Sequence, residues 1–323
     1  MLNHKLSSTT LKILNILNDC EVHTGSDMAE ALGISRTAVW KIIQRLKKYG
    51  VPLQSRHQGY QLNAPLILLD QKKIETSMKE LKINVELFEN ISSTRDYLKN
   101  KSPLRSHSLC LAEHQSSGKG RLGRTWASPF GQNIYCSLSF TFQKDMGELS
   151  GLSLATGILI AEALESLNLK PLLKWPNDIY LNHQKAGGIL VDLIAEAHGT
   201  CTAIISVGLN INMKDRELAG VDQPWTSLEH ALNEKLDRNL VLVKIIQSII
   251  KGLESFQDKG FDPFLSLWKR YDYLLDKTIS INTGREVVSG ICRGITPQGY
   301  LRLEHPSKNL ETYSCGDATL LKK

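Results

Sequence analysis

The chain has 323 residues and little sulfur to fold with. Its six cysteines, Cys20, Cys110, Cys136, Cys201, Cys292 and Cys315, are scattered and form no Cys-x-x-Cys pair. Neither a disulfide framework nor a structural metal site is expected, and this usage fits a reducing cytoplasm. The start of the chain, with Asn3, His4 and Lys5, does not lead into an unbroken apolar run, so no secretory signal is expected. The apolar stretches at 149–161 and 240–250 read as too short or too interrupted to cross a bilayer, which leaves no membrane partner. Acidic residues are missing from 34–60, where six basic ones stand: Arg36, Lys41, Arg45, Lys47, Lys48 and Arg56. A local field of this sign suits a phosphate backbone more than an acidic partner surface would.

What is present reads as an ordinary soluble protein, with 41% hydrophobic and 22% charged residues and a formal net charge of +6. The length allows roughly two domains. In the first 65 residues Leu11, Leu14 and Leu17 recur at helical spacing. A second short helix can start near Ser26 and carry Met28, Ala29 and Leu32 to a turn at Gly33. Ser35 suits the N-cap of a third, with Val39, Ile42, Ile43 and Leu46 facing the core and Gly50 stopping it. Arg36, Thr37, Trp40, Lys41 and Gln44 fall on its other faces. Two short strands, 51–53 and 60–62, flank a basic hairpin tip with Arg56 and His57. Helix, turn, helix and wing is a DNA-reading arrangement.

Asn63-Ala64-Pro65 breaks the pattern, and residues 66–82 read as a connecting helix or linker. Strand candidates then fall at 85–88, 109–112, 133–140, 188–194 and 203–207, with helices at 151–167 and 240–257, which argues for an α+β or mixed α/β domain. From about Leu275 short strands punctuated by glycine suit a small β domain.

The densest chemical signal is Gly118-Lys119-Gly120-Arg121-Leu122-Gly123-Arg124. Three glycines let a backbone approach an anion closely and three cations supply charge. Walker spacing is absent, and no acidic residue follows where a dinucleotide fold needs one. By composition alone the string also reads as a flexible basic surface loop. Two further strings follow it. Lys174-Trp175-Pro176-Asn177-Asp178 packs a cation, an aromatic, an amide and a carboxylate together, with Trp175 and Pro176 able to fix the turn. Lys185-Ala186-Gly187-Gly188 enters an apolar strand, and Gly208-Leu209-Asn210-Ile211-Asn212 closes another.

Together with Ser93-Thr94, residues 113–124 and Trp126, these strings resemble the biotin protein ligases, specifically the bifunctional form that also represses the biotin biosynthetic operon. The resemblance extends over nearly the whole chain, including Ile34-Ser35-Arg36-Thr37-Ala38-Val39-Trp40-Lys41. It implies an α+β protein: a winged helix-turn-helix over 1–65, a linker over 66–82, a mixed-sheet, class II synthetase-like ligase domain over 83–272 and an SH3-like domain over 273–323. It also implies two steps, in which biotin and ATP with Mg²⁺ give biotinyl-5'-AMP, and a lysine of biotin carboxyl carrier protein then displaces AMP. The adenylate would be the corepressor, promoting a homodimer on biotin operator DNA.

By the same resemblance Ser93, Thr94 and Gln115 bind the biotin head, and Gly118 and Arg121 line the acyl-adenylate. Lys185 meets the carboxylate or the adenylate linkage, Trp126 packs at the nucleotide, and Asn210 contacts its phosphate or metal region. Arg121 and Lys185 suit charge stabilisation at the α-phosphate. Asp178 is left between ligating Mg²⁺ and orienting the incoming amine. Arg36, Thr37, Lys41, Gln44 and Arg56 are the DNA candidates. Two positions depart from the family: Arg95 stands where asparagine commonly follows the Ser-Thr pair, which puts hydrogen bonding behind the biotin head in question. Leu122 stands where some members carry arginine. Two other readings remain: a ligase for lipoate or another small carboxylic acid, and a ligand-sensing regulator without turnover.

Overall fold

The computed structural model describes residues 4–5, 7–104, 107–195, 199–214 and 223–321. Of the opening segment read for a signal, residues 1–3 and 6 lie outside the described residues. Strand β1 (His4–Lys5) precedes helices α1 (Ser8–Leu17), α2 (Gly25–Leu32) and α3 (Arg36–Lys48) and the hairpin β2 (Leu53–Arg56) and β3 (Gly59–Leu62). Each helix starts on a side-chain cap: Ser7, Thr24 and Ser35 accept from the backbone N–H three residues on. Thr24 caps α2, which starts at Gly25, near Ser26 as the sequence reading places it, and Ser35 caps α3 as expected. Gly33 (φ 63°) ends α2 in the left-handed region that glycine adopts freely. Ile13, Leu14, Leu17, Met28, Val39, Ile43 and Leu46 form the core; Leu11 is only half-buried, because Ile13 takes the inward position on α1. The wing pairs Leu53 with Leu62 and Arg56 with Gly59, leaving His57 and Gln58 as its tip.

Helix α4 (Gln71–Ser77) lies in the connecting stretch. The central domain then runs β4 (Asn84–Ile91), α5 (Thr94–Lys99), β5 (Ser108–Gln115), β6 (Ile134–Phe142), α6 (Leu152–Glu165), β7 (Leu172–Lys174) and β8 (Asp178–Leu181). It continues through β9 (Gln184–Ala195), β10 (Cys201–Leu209), α7 (Leu228–Leu232), α8 (Arg238–Lys259) and α9 (Asp262–Tyr271). The strands form one sheet in the order β1-β4-β5-β6-β10-β9-β8-β7. Only β4 and β5 run parallel among the described pairs. β1 belongs to this sheet, pairing His4 with Asn90, so the chain passes from the central sheet through the N-terminal helical unit and back.

Helix α6 packs on α8 and α9 over one face of the sheet, and the short α5 covers β5, β6 and β10 on the other. The segment Met146–Glu165 is long and apolar enough for a membrane span, contrary to the sequence reading, yet 67% of its apolar window is buried inside the fold. It is apolar all round because it is the central core helix.

The last domain is a five-stranded antiparallel sheet, β11 (Thr278–Asn282), β12 (Val287–Ile295), β13 (Leu301–Glu304), β14 (Leu310–Tyr313) and β15 (Asp317–Leu320), in the order β14-β13-β12-β11-β15. Its buried residues, Ile279, Ile281, Cys292, Leu301 and Leu303, join the core cluster of the central domain. Trp175 is buried there and its indole N–H donates to the Gly299 carbonyl at 3.1 Å. That ring therefore ties the turn at 175–178 to the C-terminal domain, besides shaping the turn itself.

The DNA-reading unit docks behind β5. Tyr49 stacks on His114 with ring centroids 4.5 Å apart, the Phe130 N–H donates to the Tyr49 carbonyl at 2.9 Å, and the Phe130 side chain completes the small helical core. Arg45 pairs with the buried Glu89 at 3.1 Å. One residue before His114, Glu113 meets Arg238 at 2.7 Å, with both side chains fully buried. Glu113 also accepts from the Leu69 N–H at 2.6 Å and Arg238 donates to the Ile67 carbonyl at 2.9 Å. A buried ion pair of this kind contributes little net stability but fixes geometry by what its loss would strand; here it fixes the path of the linker.

Candidate active site

The sequence strings meet in one cavity on the face of the sheet that α5 covers. Its lining includes Ser93, Thr94, Gln115, Arg121, Trp126, Asp178 and Lys185. Strand β5 places Gln115 at its end, α5 places Thr94 in its first turn, and Gln115 Oε1 receives both the Thr94 N–H (2.9 Å) and hydroxyl (3.2 Å). From Thr94 the polar chain continues to Ser137 (2.9 Å) and Ser206 (2.9 Å), and Gln115 Nε2 donates to Ser128 at 3.2 Å. Hydroxyls and an amide thus make a polar floor across β5, β6 and β10. Buried polar groups of this sort are retained where each has a partner. Ser93 caps α5 by accepting from the Asp96 N–H at 3.3 Å.

The glycine-rich string forms a narrow loop over this floor. Lys119 bridges Thr125, and the Gly120 N–H donates to the Arg124 carbonyl at 2.7 Å. Gly118 does not itself line the cavity: a Cβ there would lie 2.6 Å from the Trp126 carbonyl and 2.8 Å from Ser128 Oγ. Its role is to let the loop's base lie against 126–128. Arg121 reaches across the cavity and donates to Asn177 Oδ1 and the Gly316 carbonyl, each at 3.3 Å, with Asp317 Oδ1 at 3.6 Å. Arg124 meets Asp317 at 2.5 Å. The C-terminal domain therefore contributes Asp317 to the rim.

Opposite the loop, Lys185 Nζ lies 2.7 Å from Asp178 Oδ1 and 5.6 Å from the centre of the Trp126 ring. The hairpin of β8 and β9 brings this pair together, with Asp178 opposite Gly188 in register. Trp126 lies flat on β9 and β10 because two glycines leave room: a Cβ on Gly208 would stand 2.5 Å from the ring and one on Gly188 3.4 Å. The indole N–H is buried without a partner in the protein, which a ligand acceptor would satisfy. Lys174, beside the cavity, lies 5.6 Å from the Tyr180 ring centre. Burial holds its ammonium below the usual lysine range, with Lys185 pushing the same way and Asp178 opposing.

Arg121 and Lys185 thus share a cavity, as do Trp126 and the Ser93–Thr94–Gln115 group. Asn210 stands outside the lining: its amide donates to the Thr226 carbonyl at 3.0 Å and its N–H to the Ala186 carbonyl at 2.8 Å, so it anchors the strand end. Arg95, the departure that raised the question of stray charge, is bound through Nε and Nη2 to both oxygens of Asp192 at 2.5 Å each. Its charge is held by a carboxylate on β9. Sequence reasoning missed Ser137, Ser206 and Asp317. Serines inside the apolar runs 134–142 and 201–209 were a signal for the first two; an aspartate opening a distant strand carries none.

On the DNA-reading unit Arg36, Thr37, Trp40, Lys41, Gln44 and Arg56 are all exposed. Arg36, Thr37 and Trp40 of α3 and Arg56 and His57 of the wing line one cleft.

A DNA-reading helix unit joined to a cleft built for an anionic intermediate under a glycine-rich loop defines a protein ligase with a regulator attached. Models of the biotin/lipoate A/B protein ligase family, an HTH domain and the biotin protein ligase C terminal domain match residues 87–212, 9–61 and 274–321. The bifunctional ligase/repressor BirA of Salmonella typhimurium is 38% identical over 93% of this chain and 94% of its own. That of Bacillus subtilis is 30% identical over 88% of this chain and 90% of its own. Among solved structures, the biotin protein ligase from Aquifex aeolicus in complex with biotin and ATP aligns with a TM-score of 0.64 at 25% identity, over 74% of this chain and 99% of that one. The chain belongs to the family of bifunctional biotin ligase/repressors.

Proposed function

We infer that this chain couples biotin to protein in two steps and reports biotin supply to DNA. In the first, a biotin carboxylate oxygen attacks the α-phosphorus of ATP and pyrophosphate leaves. In the second, the neutral ε-amine of a lysine on biotin carboxyl carrier protein attacks the acyl carbon, and AMP leaves with the bonding electrons. The observation that carries this reading is the single cavity in which Arg121 and Lys185 stand over a hydroxyl and amide floor.

That geometry supports the following residue roles. Ser93, Thr94 and Gln115 receive the ureido head of biotin, whose donors and acceptors match the chain of hydroxyls running to Ser206. Arg121 and Lys185 stabilise charge on the α-phosphate, where fixed cations act most strongly in a water-poor site. Trp126 offers its ring and its unpartnered N–H to the nucleotide. Lys185 is held by Asp178; turning Lys185 to the incoming anions frees that carboxylate. Magnesium arriving with ATP would be held by Asp178 together with the triphosphate and would offset its charge. Removal of the amine proton in the second step falls to solvent or to the same carboxylate.

The exposed α3 face and the wing read biotin operator DNA, with Arg36, Lys41 and Arg56 on phosphates and Thr37 and Gln44 on base edges. Operators with two half-sites need two copies, so biotinyl-5'-AMP acts as corepressor by favouring a homodimer. The protein works in the cytoplasm, a reducing compartment that suits its scattered cysteines.

Incubation with biotin, Mg-ATP and a biotin carboxyl carrier domain, read by intact mass, tests the ligase reading. The expected result is one added biotinoyl group on the acceptor and release of AMP. Modification only with lipoate in place of biotin, or no AMP, would overturn it. Titration of operator DNA is expected to show tighter binding once biotin and ATP are both present; identical curves would overturn the corepressor reading.

A further inference from the structure

The glycine-rich loop is fastened at two ends. On the side of the C-terminal domain Arg121 and Arg124 meet Asp317. On the opposite side Lys119 Nζ lies 2.6 Å from Asp96 Oδ2. Lys119 also bridges Thr125 across the base of the loop, so this contact holds both limbs of the loop at once.

Asp96 is well placed to act as a fixed point. It stands in the first turn of α5, two residues after Thr94, and its N–H is bound by the Ser93 cap. Its other oxygen, Oδ1, lies 3.2 Å from Arg95 Nη1, and Arg95 is bound by both carboxylate oxygens of Asp192 on β9. Lys99, one turn further along α5, meets Asp192 at 3.2 Å. The first turn of α5 is thereby pinned to the sheet through charged groups, and Asp96 Oδ2 faces the loop, where it meets Lys119. As a stability element the pair is weak, because Lys119 is 46% exposed. Its location is the informative feature: it closes the loop over the end of the cavity formed by Ser93, Thr94 and Gln115.

We propose that Asp96 is a positioning residue that clasps the loop through Lys119, and that it sets how long biotinyl-adenylate is retained between the two steps. This rests on the reading of the cavity as the biotinyl-adenylate site. The clasp touches neither reacting atom, so it acts on the escape of the intermediate more than on its formation.

The test uses the full chain and its Asp96→Asn, Lys119→Gln, Asp96→Glu and Lys119→Arg variants. Labelled adenylate is formed in place, excess unlabelled ligand is added, and release is followed alongside tryptic cleavage of the loop after Arg121 and Arg124, the two basic sites that every variant keeps. D96N and K119Q are each expected to release adenylate about three to five times faster than wild type, the scale of an exposed ion pair. Their loops should be cut correspondingly faster in the complex, while saturated pyrophosphate exchange changes by a smaller factor. D96E and K119R should stay near wild type, and high salt should narrow the gap, since an exposed pair is screened. K119Q carries the test if D96N, which also alters α5, does not fold. Release and cleavage in K119Q equal to wild type would overturn the clasp alone. A wild-type chain that forms no adenylate would overturn the functional reading and the clasp with it.

Discussion

The two appended domains meet the central domain in opposite ways. Behind β5, the DNA-reading unit is joined by ring stacking, apolar packing and a buried carboxylate, through Tyr49 on His114, Phe130 in the helical core and Arg45 on Glu89. In front, the C-terminal domain reaches the cavity with a carbonyl and a carboxylate on two loop arginines, one of them 68% exposed. The rear contact shares none of its groups with the cavity lining. The front contact holds Arg121, the cation proposed to meet the α-phosphate. A ligand at the cavity therefore meets the front contact directly, whereas it reaches the rear one through β5, on which Glu113, His114 and Gln115 stand in succession, and through the segment from Trp126 to Phe130.

The largest test of that contrast is Arg121→Ala. Loss of a fixed cation from the developing charge is expected to lower pyrophosphate–ATP exchange on the order of 10²- to 10³-fold. The melting temperature and operator binding without ligand should be nearly unchanged, because no buried contact of the rear interface involves Arg121. A variant with wild-type exchange would remove Arg121 from the chemistry and erase the distinction between front and rear.

The distinction was only half visible in the amino-acid order. The helices of the DNA-reading unit follow from apolar spacing and caps within a few residues, and Ser35, Val39, Ile43 and Leu46 do what local pattern says they must. The cavity strings Gly118-Lys119-Gly120-Arg121 and Lys174-Trp175-Pro176-Asn177-Asp178 are legible because unusual residue types cluster in them. β7 and β8 were hidden because each is too short for an alternating pattern to emerge. The short edge strand β1 escaped for the same reason, and because its partner lies more than eighty residues away. Asp317 and the Tyr49–His114 stack depend on domains meeting in space, and no local signal encodes that. Asn210 shows the reverse: its string is conspicuous, yet its amide serves the backbone at Thr226.

Acid should separate the two interfaces next. Burial against Tyr49 pushes the His114 imidazole down to about 4 from 6.5; its Nδ1 sits 2.6 Å from Asn90 Oδ1. The folded state thus prefers the neutral ring, and the unfolded chain binds the extra proton. Stability from this site is complete above pH 6.5 and is lost as pH falls from there towards 4. The loss amounts to roughly 2 to 3 kcal/mol for a shift of this size. Urea midpoints measured across that range should fall more steeply for wild type than for His114→Asn, which has no ring to protonate. Parallel curves for the two proteins would mean that the rear contact is not set by this buried ring.

The smallest effect concerns the front contact alone. Asp317 meets Arg124 at 2.5 Å and Arg121 at 3.6 Å, while the Gly316 carbonyl lies 3.3 Å from Arg121. If the carboxylate only neutralised the arginines, Asp317→Asn would free them and tighten ATP. The geometry argues for the other sign. Arg121 also donates to Asn177, so the C-terminal contact holds the guanidinium at the cavity from one side while Asn177 holds it from the other. A cation held in place acts on the α-phosphate without reorganising at the moment of reaction. D317N keeps the size of the side chain and the Gly316 carbonyl but loses the charge that aligns the arginines. It is expected to raise the KM for ATP about three- to fivefold, the scale of one partly exposed ion pair. The KM for biotin should hold, since the Thr94–Gln115 floor lies on the far side of the cavity from the C-terminal domain. Steady-state exchange kinetics with each substrate varied in turn decides the sign. A lower KM for ATP would make the C-terminal carboxylate a competitor of the phosphate, and equal rises for both substrates would make it a plain structural support.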